Sequence, residues 1–83
     1  MGNKMPVISG KQLIKVLSKL GYCIVKQRGS HLKLQKKMPA GTHSITIPQH
    51  HEIATGTLND ILNRVSMWNQ ISKEELLDML KEI

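Results

Sequence analysis

Two short stretches of strict alternation constrain the fold of this chain more than any other feature. Leucine or isoleucine occupies every second position, with polar residues between, in His31-Leu32-Lys33-Leu34-Gln35 and in Ser44-Ile45-Thr46-Ile47. Because successive side chains of a strand point to opposite faces, each stretch predicts a strand with one apolar and one polar face. The short Met38-Pro39-Ala40-Gly41 loop between them favours an antiparallel pair. Such a pair must bury its apolar face under other elements and leaves the face that carries His31 toward water.

The segment before this pair supplies one helix and one further strand. Ser9 and Gln12 have the spacing of a capping box, and the apolar residues that follow repeat at helical spacing as far as Gly21. Residues 22–28 are rich in β-forming types and are followed by a Gly29-Ser30 turn signal. Because Cys23-Ile24-Val25 is apolar on both faces, the sequence leaves open whether the basic residues after it share the outward face of His31. A bulge fits this pattern.

Two more helices are predicted after a polar loop at residues 48–54. Thr57 and Asp60 resemble a capping box at the start of the second helix, which carries an apolar stripe at helical spacing. Met67-Trp68-Asn69-Gln70 is interpreted as the joint to a third helix, which begins at Ser72. The chain contains no internal repeat and no low-complexity stretch.

These elements predict one α+β domain over residues 1–83, in the order α-β-β-β-α with an added C-terminal helix. Helices cover one face of a three-stranded antiparallel sheet, residues 1–6 form an N-terminal tail, and residues 72–83 form the C-terminal helical extension. A chain of 83 residues is too short for a large multi-step enzyme or a nucleotide-cofactor fold. No apolar run approaches the roughly 20 residues that span a bilayer, and the N-terminus lacks a signal-peptide core. We expect no contact with a membrane.

Positive charge is concentrated in the first half of the chain. Residues 1–40 contain nine basic residues and no acidic ones, whereas residues 41–83 contain three basic and six acidic residues. The net charge of +6 is therefore the sum of +9 in residues 1–40 and −3 in residues 41–83, and such a concentration of positive charge is typical of proteins that bind a polyanion. A soluble basic protein without such a partner is the alternative.

The sequence predicts neither a metal nor a cofactor. The single cysteine, Cys23, cannot close an intrachain disulfide, and its apolar neighbours predict an inert thiol in or near the core. His50 and His51 are adjacent, so their side chains diverge, whereas His31 and His43 lie on different strands without a recognisable ligand spacing. With one cysteine, the chain suits the reducing cytoplasm.

His31 is the strongest candidate for chemistry. It is predicted to be exposed after the glycine turn, close in sequence to Lys26, Arg28 and Lys33. Histidine exchanges protons near neutral pH, and cations stabilise the charge that develops on a phosphate under attack. RNA carries its own nucleophile, the 2′-hydroxyl, so a histidine and neighbouring cations suffice for RNA cleavage without a metal. DNA lacks that hydroxyl group, so the same residues would not cleave it. Ser30 fits either a turn residue or a hydroxyl that contacts phosphate, and an exposed histidine without function fits the spacing equally well.

Four motifs in the same order resemble the HicA (YcfA-like) toxin family, from about Met5 to Val65. They are Ser9-Gly10-Lys11, Lys26-Gln27-Arg28-Gly29-Ser30-His31, Ile45-Thr46-Ile47-Pro48, and Gly56-Thr57-Leu58 followed by Ile61-Leu62. The resemblance implies a fold similar to the double-stranded-RNA-binding domain, a ribosome-independent mRNA interferase activity, and inhibition by a HicB-like antitoxin. It also implies that His31 is the catalytic histidine and Gly29 its supporting glycine.

The candidate site therefore consists of His31 as general acid or base, with RNA contacts from neighbouring residues: Lys26, Arg28, Gly29, Ser30 and Lys33. Two other functions stay open. A non-catalytic RNA-binding module would use the same basic face only to hold RNA, and a protein-interaction domain would use it to dock an acidic inhibitor. Ordinary duplex binding is not favoured, because residues 55–60 carry no lysine at the start of the second helix.

Overall fold

The computed structural model describes residues 5–83, so positions 1–4 of the predicted N-terminal tail lie outside the described residues. Three helices and three strands follow one another along the chain: α1 (Gly10–Lys19), β1 (Cys23–Arg28), β2 (His31–Met38), β3 (Gly41–Pro48), α2 (Thr55–Asn69) and α3 (Lys73–Lys81). This is the predicted α+β order, α-β-β-β-α with a further C-terminal helix. No helix within residues 5–83 is both long and apolar enough to cross a membrane.

The sheet is antiparallel in the order β1-β2-β3, and its two faces differ as the alternation predicts. Leu32 and Leu34 of β2 are buried and lie opposite Ile47 and Ile45 of β3, whereas His31 is exposed. The buried face packs into one hydrophobic core with residues from all three helices: Leu13, Val16, Leu17, Leu58, Ile61, Leu62, Val65, Leu76, Leu77 and Leu80. The opposite face of the sheet is left open to solvent.

Helix α1 begins and ends as its sequence predicts. The Ser9 hydroxyl accepts from the Gln12 backbone N–H at 3.1 Å, and the Gln12 side-chain oxygen accepts from the Ser9 N–H at 2.8 Å. Two of the backbone donors left free at a helix start are thereby satisfied. Gly21, after the helix, has φ +103°, a conformation that favours glycine.

Helix α2 differs from the prediction at both ends. It begins at Thr55 after Ala54, with no side-chain cap, so the capping box predicted for Thr57 and Asp60 is wrong. The Ile53 N–H donates to the Ile8 carbonyl at 2.8 Å, which fixes the chain just before the helix. The predicted joint at Met67–Gln70 is also wrong, since α2 continues through Asn69. Helix α3 follows its predicted N-cap, Ser72.

Gly10 brings the start of α1 against the end of β3. Its N–H donates to the His50 carbonyl at 2.9 Å, and a Cβ added at Gly10 would lie 2.1 Å from the Pro48 carbonyl oxygen. Because both neighbours are backbone, neither can rotate out of the way. This contact holds the first helix against the strand that pairs with His31.

We expect Gly10→Ala to destabilise the protein by about 1–3 kcal/mol, because the methyl group would push α1 away from Pro48. Gly56→Ala is the matched control. Gly56 lies in the first turn of α2 with no atom within 4 Å of an added Cβ, so its substitution should raise stability by up to about 1 kcal/mol. Urea unfolding followed by circular dichroism measures both, and equal effects would contradict the close approach.

Candidate active site

A β-bulge in β1 decides which side chains share the outward face with His31. Ile24 lies opposite the buried Leu34, but the register shifts after it, so that Lys26 lies opposite Lys33 and Arg28 opposite His31. One extra residue, Val25, makes this switch. Without it, residues 24, 26 and 28 would all point to the same face. The bulge therefore resolves the question that the sequence left open and adds two cations to the face of His31.

The turn before His31 is as tight as a hairpin turn can be. Gly29 and Ser30 alone connect β1 to β2, and Gly29 has φ +58°, the left-handed conformation that glycine adopts at little cost. The Ser30 carbonyl accepts from the Gln49 N–H at 2.6 Å, which ties the turn to the end of β3. These constraints place His31 at the first position of its strand, next to the turn.

The side chains of Lys26, Arg28, His31 and Lys33 line one shallow cavity of about 210 Å³ on the exposed sheet face. We call it the His31 cavity. Each of the four residues is exposed. Gly29 and Ser30, also predicted as site residues, form the turn beside this cavity and do not line it.

Sequence reasoning missed one member of this cavity, Thr46. It lies opposite Lys33 in the register of β2 and β3, and its side chain completes the lining. The alternation of β3 already placed Thr46 on the outward face. The missing information was the pairing register, which decides which outward residue of β3 comes beside Lys33.

Among the described residues, no carboxylate lies within ion-pair distance of the cations of the His31 cavity. Within residues 5–83 the ion pair present is the exposed one between Arg64 and Asp60 on α2, with N and O 3.2 Å apart. The cations of the His31 cavity therefore keep their charges free for a bound anion. Since like charges held close together repel, a polyanion that lies across them would be strongly favoured.

The other exposed histidines lie elsewhere. His50 and His51 line a separate cavity of about 340 Å³ with Ser9 and Lys11, near the start of α1. In the described part of the chain, no group of three or more histidine, cysteine, aspartate or glutamate side chains is arranged to hold a metal ion. His31 is thus the one histidine that lies among the predicted basic residues.

His43 is buried, with 5% of its surface exposed, and is locked into a hydrogen-bonded network. The Tyr22 hydroxyl lies 2.5 Å from His43 Nδ1 and accepts from the Asn69 amide at 2.9 Å. The Tyr22 hydroxyl and His43 Nδ1 share a hydrogen bond whose donor is set by the imidazole tautomer. The Trp68 indole stacks on the imidazole at 4.9 Å between ring centroids. His43 is held as a structural residue.

Burial shifts the pKa of both members of the central hydrogen bond. It lowers the pKa of His43 below the usual range, and the Arg64 guanidinium lowers it further. Burial also raises the pKa of Tyr22, and the hydrogen bond from Asn69 lowers that pKa by a smaller amount. Both shifts favour the neutral forms of the two groups.

Cys23 is exposed, so its predicted place in or near the core is wrong. It lies opposite Gln35 at the start of the edge strand β1, on the outward side of the sheet. The apolar run around it indicated burial, but every residue of β1 is exposed, and β1 is an edge strand of the sheet. The apolar Ile24 and Val25 are exposed for the same reason.

Comparison with known proteins identifies one family. The family model described as "HicA toxin of bacterial toxin-antitoxin" matches residues 10–67, which is more than half of the chain. No curated protein and no solved structure matches the chain. The likeness to the double-stranded-RNA-binding domain therefore stays a prediction.

The buried state of His43 predicts a pH dependence of stability. The folded chain keeps His43 neutral, whereas the unfolded chain binds a proton once the pH falls below about 6.5. The free energy of unfolding should therefore decline below that pH, until the lowered pKa of the folded state is reached. Replacement by asparagine removes the titration and keeps an oxygen that can accept from Tyr22.

Urea unfolding between about pH 8 and about pH 5 measures this contribution. We expect His43→Asn to lose less stability than the parent protein as the pH falls. All other titrating groups are common to the two chains, so the difference reports His43 alone. Parallel pH profiles would show that His43 does not have a lowered pKa.

Proposed function

Because the chain belongs to the HicA toxin family, and so is the toxin of a bacterial toxin–antitoxin system, we propose that it is an endoribonuclease that cleaves mRNA through His31. A HicB-like antitoxin would inhibit it by covering the His31 cavity. The proposal needs no metal and no other cofactor. Since mRNA is its substrate, the protein would act in the cytoplasm.

The observation that carries this proposal is the composition of the His31 cavity. An exposed imidazole lies beside three unpaired cations: Lys26, Arg28 and Lys33. A strand of RNA that lies across them would bring its phosphates to the cations and a ribose to the imidazole. General acid–base catalysis requires such a group within reach of the transferred proton.

The chemistry follows from these groups. His31 removes the proton of a ribose 2′-hydroxyl, and the 2′ oxygen forms a bond to the adjacent phosphorus. The cations of the cavity stabilise the extra negative charge on the phosphorane. The bond from phosphorus to the 5′ oxygen then breaks, and the protonated His31 returns its proton to that leaving oxygen. The products are a 2′,3′-cyclic phosphate and a 5′-hydroxyl end.

Replacement of His31 by alanine tests this mechanism. We expect His31→Ala to reduce RNA cleavage by about 10²–10⁴-fold, the usual contribution of a positioned acid–base group, and to abolish growth arrest on induction. The side chain is exposed, so the fold should remain intact by circular dichroism. Cleavage is measured on single-stranded RNA with a purified protein.

His50→Ala and His51→Ala are the matched controls, because both residues are exposed histidines that line a different cavity. They should cleave RNA at close to the parent rate. Normal toxicity of His31→Ala, or an equal loss in all three variants, would contradict the role assigned to His31.

A non-catalytic RNA-binding module is the alternative, and one observation favours it. The His31 cavity contains one histidine and no carboxylate, so a second group suited to proton transfer near neutral pH is missing from its lining. A pure binder would use the same three cations to hold phosphates. Its affinity would then depend on salt through those contacts.

Incubation of purified protein with single-stranded RNA in the presence of EDTA separates the two functions. We expect cleavage products despite the chelator, because the proposed reaction uses no metal. RNA that stays intact while it is bound would favour the binding module. In either case three phosphate contacts predict a slope of log affinity against log salt concentration of about −2.

The protein-interaction hypothesis agrees with the first proposal at the His31 cavity, where an acidic antitoxin segment would meet unpaired cations. The acidic helix α3 is a weaker candidate surface. Glu74 and Glu75 lie in its first turn, where carboxylates stabilise the helix dipole, and Asp78 is exposed. The helix dipole accounts for Glu74 and Glu75 without a partner protein.

A further inference from the structure

A second cavity, of about 400 Å³, lies between the turn that joins β2 to β3 and the end of α2. Its lining includes Lys36 and Lys37 on one side and Trp68, Asn69 and Gln70 on the other. We call it the Trp68 cavity. The residues on the α2 side lie beyond the last residue matched by the family model, residue 67. The α2 side of the Trp68 cavity is therefore formed by residues that the family model does not cover.

Trp68 is presented to this cavity in a fixed orientation. Its indole stacks on the buried His43 imidazole with the ring planes 11° apart, and 38% of the residue surface is exposed. The Asn69 amide donates to the Val65 carbonyl at 2.9 Å, and Gln70, with φ +53°, ends the helix. A rigid, partly exposed aromatic ring loses little conformational entropy when a ligand stacks on it.

The cavity is also positively charged. Lys36 Nζ donates to the Asn69 side-chain oxygen at 2.6 Å, which fixes one ammonium group in the lining of the cavity, and Lys37 is exposed. In the described part of the chain neither lysine has a carboxylate within ion-pair distance. An aromatic surface between cations suits a ligand that combines a flat base with a phosphate.

Strand β2 contributes residues to both the His31 cavity and the Trp68 cavity. Side chains at every second position of the strand share a face, so Lys37 lies on the outward face with His31 and Lys33. Lys37 lies six positions after His31 along the strand, a distance of about 20 Å. Since Lys37 also lines the Trp68 cavity, an extended single strand of RNA whose ribose is at His31 would follow Lys33 to Lys37 and turn around the end of the sheet into that cavity.

We propose that the Trp68 cavity is a second RNA subsite, which stacks a nucleobase against Trp68 while Lys37 holds an adjacent phosphate. The proposal rests on the proposed function, since it extends the path of the same substrate. Stacking on an aromatic ring is tolerant of base identity, so the subsite would contribute affinity and length preference rather than strict sequence selection.

The test uses Trp68 itself, because it is the single tryptophan of the chain. The probes are 2′-O-methyl RNA oligonucleotides, which have no free 2′-hydroxyl and resist cleavage. A dinucleotide is too short to reach from His31 to Trp68, whereas an octanucleotide spans the distance. With excitation selective for tryptophan, we expect the octanucleotide to quench the fluorescence at the concentration at which it binds. The dinucleotide cannot occupy both cavities at once, so it should leave the fluorescence unchanged at that concentration.

Binding is measured independently by anisotropy of a label on the oligonucleotide. An octanucleotide that binds without a change in Trp68 fluorescence would overturn the subsite and leave the proposed function intact. If neither oligonucleotide binds, the proposed function fails and the subsite fails with it. Quenching by an acidic antitoxin protein but not by RNA would assign the cavity to a protein partner instead.

Charge variants give a second readout. Lys37→Gln should weaken octanucleotide binding and reduce the magnitude of its salt slope by about 0.7, the value for one phosphate contact on a single strand. Lys15→Gln makes the same charge change on an exposed position of α1 and is the matched control. Trp68→Leu should weaken octanucleotide binding by about 5- to 100-fold without an effect on the dinucleotide. Equal effects of Lys37→Gln and Lys15→Gln would contradict the proposed phosphate contact.

Discussion

The strict twofold alternation of a strand is the constraint on which the exposed face of this molecule depends. A regular β1 would place Lys26 and Arg28 on the same face as Ile24, toward the covered side of the sheet. The extra residue Val25 reverses the second half of the strand and brings both cations beside His31. The regular strands β2 and β3 contribute buried side chains to the hydrophobic core, and the bulge in β1 adds Lys26 and Arg28 to the face of β2 that carries His31.

Local rules made much of the fold predictable. The capping box at Ser9, the N-cap at Ser72 and the alternation around Leu32 and Leu34 each involve residues close together in sequence. His31 could be placed on the exposed face for the same reason. Its role in catalysis is a prediction that no geometry tests, because it depends on what the imidazole does to a bound substrate.

Features set by tertiary contacts were not predictable in the same way. Thr46 joins the His31 cavity through the register of two strands, and the start of α2 is set by the pairing of Ile53 with Ile8. Trp68, in the part of α2 that the sequence did not predict as helix, stacks on His43 from a different element. Exposure of Cys23 follows from the position of β1 at the edge of the sheet, which its apolar sequence does not reveal.

The bulge in β1 also bears on self-association. An edge strand with unpaired N–H and C=O groups is a template for another sheet, and a long flat one invites chains to join edge to edge. In β1 the bulge at Val25 interrupts that template. Lys26 and Arg28 would also repel the same residues of a second copy if two β1 strands paired. The distortion that assembles the His31 cavity thus also disfavours polymerisation through the β1 edge of the sheet.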